Sequence, residues 1–121
     1  MRFLLVTLAL IALGLAAPVP ARAQAMDDCP HAPTPTIASL RTCVQHATDE
    51  GHIDNQGITR SLLAKLDAAQ AAFDREQTAV AVKGLEAFVR ELDAQTGKHI
   101  VAEHAAHLRM HAQDVIAALS G

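Results

Sequence analysis

The sequence is poor in aromatic residues, with no tryptophan, no tyrosine and three phenylalanines among 121 residues. Flat aromatic platforms for stacking sugar rings are therefore missing, which disfavours an ordinary carbohydrate-binding face. Clusters of lysine and arginine are missing as well, so nothing is suited to grip the phosphates of nucleic acid or anionic lipid. Glycine-rich loops that cradle phosphate groups are also absent. These absences disfavour a nucleic-acid partner.

The first 25 residues are typical of a signal peptide. Arg2 supplies a positive charge, and the apolar run over residues 3–17 is too short and too alanine-rich for a comfortable membrane span. Two small-x-small patterns within residues 21–25 then predict cleavage near Gln24 or Met26. The alternative is an uncleaved anchor. We expect an exported protein, periplasmic or secreted, that does not insert into a membrane after cleavage.

Cleavage would leave one small acidic domain. About 96 residues would remain, and the net charge would fall from −3 to about −5 because two arginines are lost and no acidic residue is lost. A chain of this length forms a modest core and has no room for a second domain.

The segment 26–35 contains three prolines, at positions 30, 33 and 35, which predict an extended arm without a helix. Cys29 lies in this arm, and Cys43 lies in the helical pattern that follows. Two cysteines of a small exported domain usually pair, so we expect a Cys29–Cys43 disulfide that contributes about 3 kcal/mol by tying the arm to the first helix. The alternative is a redox-active or metal-binding thiol pair, although the spacing is not of the Cys-x-x-Cys type.

Apolar residues at helical spacing predict four helices, over residues 36–50, 55–75, 78–96 and 102–120. The apolar faces comprise Ile37, Leu40, Val44 and Ala47; then Ile58, Leu62, Leu66, Ala69 and Phe73; then Ala81, Leu85, Phe88, Val89 and Leu92; and finally Val101, Ala105, Leu108, Ala112, Val115, Ile116 and Leu119. Short connections force neighbouring helices to run antiparallel, and no strand pattern competes. The prediction is an all-α fold, a small antiparallel bundle over residues 36–121.

The connections carry residues that end and begin helices. Gly51 suits the left-handed position that ends the first helix, and Gly97 is predicted to end the third. Asp54 is a good N-cap for the second helix, and Ile53 and Ile58 lie where a hydrophobic staple brackets such a cap.

Several segments together resemble the FIMAH domain family, namely Gly51-His52-Ile53, Gly57-Ile58, Ser61-Leu62-Leu63-Ala64-Lys65-Leu66, Ala87-Phe88-Val89, Gly97-Lys98-His99-Ile100 and Ala112-Gln113-Asp114-Val115-Ile116-Ala117-Ala118-Leu119. The resemblance covers about residues 37–119. It implies a helical module, usually appended to larger exported or cell-surface bacterial proteins, and it brings no catalytic residues. Because the module here follows a signal peptide on its own, we expect its partner to be a separate molecule. The family's fourth helix usually opens with Thr-Pro-Glu, whereas this chain has Val101-Ala102-Glu103.

The fourth helix carries His104, His107 and His111 within about 60° of one another, on a flank of its apolar face. His107 and His111 are one turn apart and can chelate a divalent ion such as Zn, Cu or Ni, with Glu103 one turn before His107. A closed site would need ligands from elsewhere, such as His31, His46, His52 or His99. The alternative interpretation is that these histidines are partly solvated residues beside an alanine-rich core face.

Catalysis is disfavoured, because none of Ser39, Ser61 and Ser120 lies in a nucleophile-elbow context or beside an obvious His/Asp pair. We therefore expect no enzyme and no catalytic residues. The primary prediction is a non-catalytic exported interaction module that binds a protein or cell-envelope component, through an exposed apolar strip such as Val80, Val82 and Ile100. The alternative is a periplasmic divalent-metal binder that uses the histidines of the last helix. A homodimer is compatible with both.

Overall fold

The computed structural model describes residues 35–121 and the single residue Gly14. Apart from Gly14, the predicted signal peptide lies outside the described residues, as do the predicted arm up to residue 34 and Cys29 within it. Cleavage near residue 25 and the Cys29–Cys43 disulfide therefore stay predictions.

Within the described residues the chain forms four α-helices, α1 (Ile37–Asp49), α2 (Gln56–Asp74), α3 (Thr78–Gln95) and α4 (Ala102–Ser120). Their bounds agree with the predicted ones to within one residue at each end. Each helix packs against two others, in the order α1, α2, α3, α4 and back to α1. Over residues 35–121 there is no β-strand, so the predicted all-α bundle is confirmed.

The core lies along the axis of the bundle and receives one apolar face from each helix. Its largest fully buried side chains are Phe88, Leu40, Leu62, Leu66, Leu85, Leu92, Ile100, Leu108, Val44 and Val115. Helices α2 and α3 approach each other closely at Gly84, where an added Cβ would lie 3.2 Å from the Cβ of Ala69. The helical periodicity of the sequence therefore identified most of the core.

Helix α1 begins with a capping box. The Thr36 hydroxyl accepts a hydrogen bond from the Ser39 backbone N–H at 3.0 Å, and the Ser39 hydroxyl accepts one from the Thr36 backbone N–H at 3.1 Å. Two of the four orphan donors at the helix start are satisfied in this way. The helix ends, as predicted, at a left-handed glycine, because Gly51 has a φ of +80°.

The predicted N-cap of α2 is wrong by one residue. Asn55, not Asp54, accepts hydrogen bonds from the Gly57 and Ile58 backbone N–H groups, at 2.9 and 3.2 Å. Asp54 is held elsewhere, since its carboxylate lies 2.8 Å from Nδ1 of His99. Because Asp54 contacts the loop before α4, the N-cap of α2 is Asn55, one residue later than predicted.

That contact belongs to a loop clasp, which we define as residues 52–54 paired with residues 99–101. The Asp54 N–H donates to the His99 carbonyl, and the Val101 N–H donates to the His52 carbonyl, each at 3.0 Å. Ile53 and Ile100 form an isolated antiparallel bridge between these bonds. Both isoleucine side chains are buried, so Ile53 contacts the far loop and does not simply bracket the start of α2.

Three expectations about burial are wrong. Phe73 is 42% exposed, because Ala72 is the residue turned to the core near the turn into α3. Val101 is 46% exposed and Ile100 is 1% exposed, the reverse of what was expected for this pair. The bridge to Ile53 turns Ile100 inward, and its neighbour Val101 therefore points outward. Of the proposed apolar strip, Val80 is exposed and Val82 is half-buried.

Candidate functional site

The three histidines of α4 lie against α1 and the loop that follows it. His104, His107 and His111 are all half-buried, as expected for the flank of an apolar face, whereas Glu103 is exposed. His111 contacts the first turns of α1, and His104 contacts His52 just beyond the end of α1. The stripe therefore spans the length of the α1–α4 interface.

His111 joins the start of α1 to α4 through both of its ring nitrogens. Its Nε2 lies 2.8 Å from the Ser39 hydroxyl oxygen, and its Nδ1 lies 3.5 Å from Sγ of Cys43. The Ser39 hydroxyl donates its only hydrogen to the Thr36 carbonyl at 2.8 Å. With that hydrogen directed at Thr36, the tautomer that completes this part of the network is the one in which His111 Nε2–H donates to Ser39.

Ser39 and His111 are a serine and a histidine that no sequence pattern connects and that the structure brings together. A serine nucleophile needs a histidine that accepts its proton, with a third group orienting the ring. In that tautomer the histidine donates, and the serine is nearly buried within a helix cap. The arrangement is that of a structural hydrogen bond, in which α4 supports the capping box of α1.

At the opposite end of the interface, His104 stacks on His52. The ring centroids are 3.5 Å apart and the ring planes differ by 17°. Glu50 lies beside this stack, with one carboxylate oxygen 3.3 Å from His52 Nε2 and the other 3.2 Å from His46 Nε2. His46 is within ion-pair distance of Glu50 but outside hydrogen-bond geometry. Three histidines and one glutamate thus share a small region.

The environment of the stack lowers the pKa of His104 below its ordinary value of 6.5. Burial is the main cause, since it penalises the charged ring, and the nearby His52 and His107 add repulsion when they carry charge. Glu50 and Glu103 act in the opposite direction but do not outweigh these effects. Nδ1 of His104 is buried and has no hydrogen-bond partner among residues 35–121.

Acidification from pH 7 to pH 5 is expected to lower the free energy of unfolding, and His104→Gln should remove part of that loss. In the unfolded chain His104 titrates near 6.5, whereas in the folded chain its pKa is lower. The unfolded chain therefore binds more protons than the folded chain as the pH falls. The stability that this group contributes is fully present above pH 6.5 and is lost as the pH falls through the lowered pKa of the folded chain. Urea denaturation at both pH values measures the difference. His99→Gln, which lies outside the stack, is the control. If His104→Gln loses as much stability between pH 7 and pH 5 as the parent protein does, His104 is not the source of the acid sensitivity.

The histidine stripe does not form a closed metal site in this structure. Among the described residues, no group of three or more His, Cys, Asp or Glu side chains is placed to hold an ion. Lone pairs of imidazole lie in the ring plane, so two nearly parallel stacked rings cannot direct them at one ion. His46 and His52 do lie near His104, as a closed site would require, whereas His99 pairs with Asp54. Metal binding by Glu103, His104, His107 and His111 stays a prediction.

A cavity of about 550 Å³ opens along the first half of α4, and we call it the α4 groove. It is lined by residues 102–110 of α4, by Cys43, His46 and Ala47 of α1, and by Asp93 and Thr96 of α3. Ala102, Ala106 and Met110 recur one turn apart, and all three are exposed, with Met110 at 60%. They form an apolar stripe between the histidines on the α1 side and the Arg109–Asp93 ion pair on the α3 side.

The α4 groove could not be located from the sequence, although part of its signal was present. The spacing of Ala102, Ala106 and Met110 is visible in the sequence, but exposed alanines are common on helices and carry little information. The role of His46 and His52 depends on the packing of α1 against α4. That packing brings together residues more than 50 positions apart, and no local pattern reports it.

Comparison with known proteins identifies one family. The model of the FIMAH domain matches residues 37–117, which comprise all of α1 to α3 and most of α4. No curated protein and no solved structure matched the chain. Within residues 35–121, none of the helices combines the length and the apolar character that crossing a bilayer requires.

Proposed function

Because the chain belongs to the FIMAH domain family, we propose that it is a non-catalytic interaction module that docks an extended segment of a cell-envelope protein in the α4 groove. The observation that carries the proposal is the exposed apolar stripe of Ala102, Ala106 and Met110, which lines a cavity of about 550 Å³. Small side chains let a partner backbone approach closely, and methionine adapts its shape to varied side chains. Export, as implied by the first 25 residues, would bring the module to such partners.

The histidine side of the groove favours a partner segment that carries acidic groups, whereas the exposed Glu103 of the same lining favours a basic group. His46, His104 and His107 line the α1 side, and a neutral or a charged imidazole N–H can donate to a carboxylate. The apolar stripe would supply most of the affinity, and the histidines would supply the polar contacts.

The proposal predicts position-dependent crosslinking. A photoreactive amino acid at Ala106, in the groove, is expected to give a discrete crosslinked protein in the envelope of the producing bacterium. The same residue at Ala64 should not, although Ala64 is also an exposed alanine inside a helix, on α2, which does not contact α4. Met110→Glu should abolish the Ala106 product, because a carboxylate at the end of the stripe would be desolvated on docking.

The crosslinking result can also contradict the proposal. A product formed equally from Ala64 and Ala106, or one indifferent to Met110→Glu, would show that the groove is not the docking surface. No product from Ala106 in any envelope fraction would also count against it. A product of twice the mass of the chain would identify a second copy as the occupant and would replace the proposed partner with a homodimer.

A further inference from the structure

Met110 is 60% exposed, more than any other large apolar side chain of residues 35–121. It lies one helical turn beyond Ala106, at the end of the apolar stripe of the α4 groove. A single exposed methionine needs no explanation, but this one ends a stripe that lines a cavity. Its thioether sulfur is therefore open both to a docked partner and to small oxidants.

The described chain offers few other side chains to a mild oxidant. Tryptophan and tyrosine are absent from the sequence, and Cys43 is only 2% exposed. Met110 is the single methionine of residues 35–121, since Met1 and Met26 precede this part of the chain. Methionine is readily oxidised to its sulfoxide, and exposure gives the oxidant access to the sulfur. Among the described residues, such an oxidant therefore reaches Met110 first.

Oxidation of Met110 adds one oxygen atom to its sulfur. With hydrogen peroxide, a sulfur lone pair forms the S–O bond, the O–O bond breaks and water leaves. The sulfur loses two electrons, and the peroxide is reduced by the same two. Methionine sulfoxide reductases reverse the change, since a dithiol supplies two electrons and two protons, the oxygen leaves as water and a disulfide forms.

The added oxygen has different consequences for the fold and for docking. Met110 lies outside the buried core and is mostly exposed in the free protein, so the sulfoxide oxygen stays hydrated there. A partner that covers the apolar stripe would remove that water, and burying a polar group without a hydrogen bond is unfavourable. Oxidation should therefore weaken docking and leave the bundle folded.

We infer that Met110 is a reversible oxidation site that controls docking in the α4 groove, which the thioether permits and the sulfoxide prevents. The inference deepens the proposed function and rests on the groove as the docking surface. The oxidant is a peroxide, and the reductant that restores docking is a dithiol acting through a methionine sulfoxide reductase.

The test uses the purified chain with the photoreactive amino acid at Ala106. The chain is treated with hydrogen peroxide, freed of the peroxide, added to an envelope fraction of the producing bacterium and irradiated. Peptide mass spectrometry should find one added oxygen on Met110, and the yield of crosslinked protein should fall about tenfold. Methionine sulfoxide reductase with a dithiol should remove the oxygen and restore the yield.

Met26→Leu is the matched control, because it removes the other methionine of the expected mature chain. Oxidation should reduce its crosslinked product as strongly as it does in the parent chain. Met110→Gln places a permanent polar group in the stripe and should give a low yield that neither peroxide nor reductase changes. Circular dichroism should show the same helix content before and after oxidation.

The inference is overturned if Met110 resists the peroxide, if the oxidised chain crosslinks as well as the untreated chain, or if the reductase does not restore the product. It is also overturned if Met26→Leu abolishes the loss, if the yield from Met110→Gln equals that of the parent chain or responds to peroxide, or if oxidation lowers the helix content. In all of these cases the untreated chain still gives its product from Ala106, and the proposed envelope docking stands. No product from the untreated chain would overturn both proposals.

Discussion

Replacing Phe88 with alanine is expected to lower the free energy of unfolding by about 3–5 kcal/mol. Phe88 lies in the middle of α3, is fully buried, and is the largest side chain of the core. Its removal loses the transfer free energy of the ring and leaves a cavity that four packed helices can fill only in part. Since a small domain is stable by about 5–15 kcal/mol, this variant should unfold at a much lower urea concentration.

Phe73→Ala is the matched control, because it removes the same ring from the same kind of helix. Phe73 is 42% exposed, near the end of α2, and its replacement is expected to cost less than about 1 kcal/mol. The midpoints of urea denaturation for both variants and the parent protein measure the contrast. Equal losses would mean that the end of α2 is packed in solution and that the core extends further than the structure places it.

The second large effect is expected in the loop clasp, where Ile100→Ala should lower the free energy of unfolding by about 2–5 kcal/mol. Ile100 is 1% exposed and lies across from Ile53, which is 2% exposed. A loop residue with this burial closes one end of the core. Truncating it leaves a cavity where the two loops meet and weakens the contact that holds α4 against α1.

The adjacent Val101→Ala variant separates side-chain packing from the backbone pairing of the clasp. Val101 is 46% exposed, and its N–H donates to the His52 carbonyl whichever side chain it carries. We therefore expect Val101→Ala to lower the free energy of unfolding by less than about 1 kcal/mol, as measured by thermal or urea denaturation. A larger loss from Val101→Ala than from Ile100→Ala would reverse the assignment of the two side chains.

The helices could be predicted from the sequence because their signal is local. Apolar residues at positions such as Leu62, Leu66 and Ala69 repeat with the helical period, and Gly51 has the left-handed φ angle that ends α1. Each of these helices is therefore indicated by its own segment of sequence, and the packing of the bundle agrees with that indication. For this reason all four helices lie within one residue of their predicted bounds.

The errors arise where a distant segment decides the outcome. Asp54 and Asn55 are both good N-caps by residue type, and only the contact with His99 assigns the cap to Asn55. Helical periodicity says nothing about which of Ile100 and Val101 points inward, because both precede α4. The bridge to Ile53 settles that choice, and Ile53 lies in another loop.

The candidate site was predictable only in part, for the same reason. The flank position of His104, His107 and His111 follows from spacing on one helix, and their half-burial confirms it. Their partners Ser39 and His52 lie on other segments, and the stacking of two rings depends on how α1 and α4 approach. The sequence therefore placed the three histidines on the flank of the last helix and did not indicate which residues of other segments contact them.

The loop clasp has a consequence for the order in which the chain assembles. The turns within each pair of successive helices join neighbours in sequence, whereas Asp54 and His99 are 45 residues apart. Closing so long a loop costs chain entropy, and only the packing of the complete bundle offsets that cost. The clasp is therefore expected to form late in folding. Once formed, it links the connection after α1 to the connection before α4. Neither α1 nor α4 can then separate from the bundle without breaking the hydrogen bonds between these two connections. The opening of the bundle is therefore cooperative.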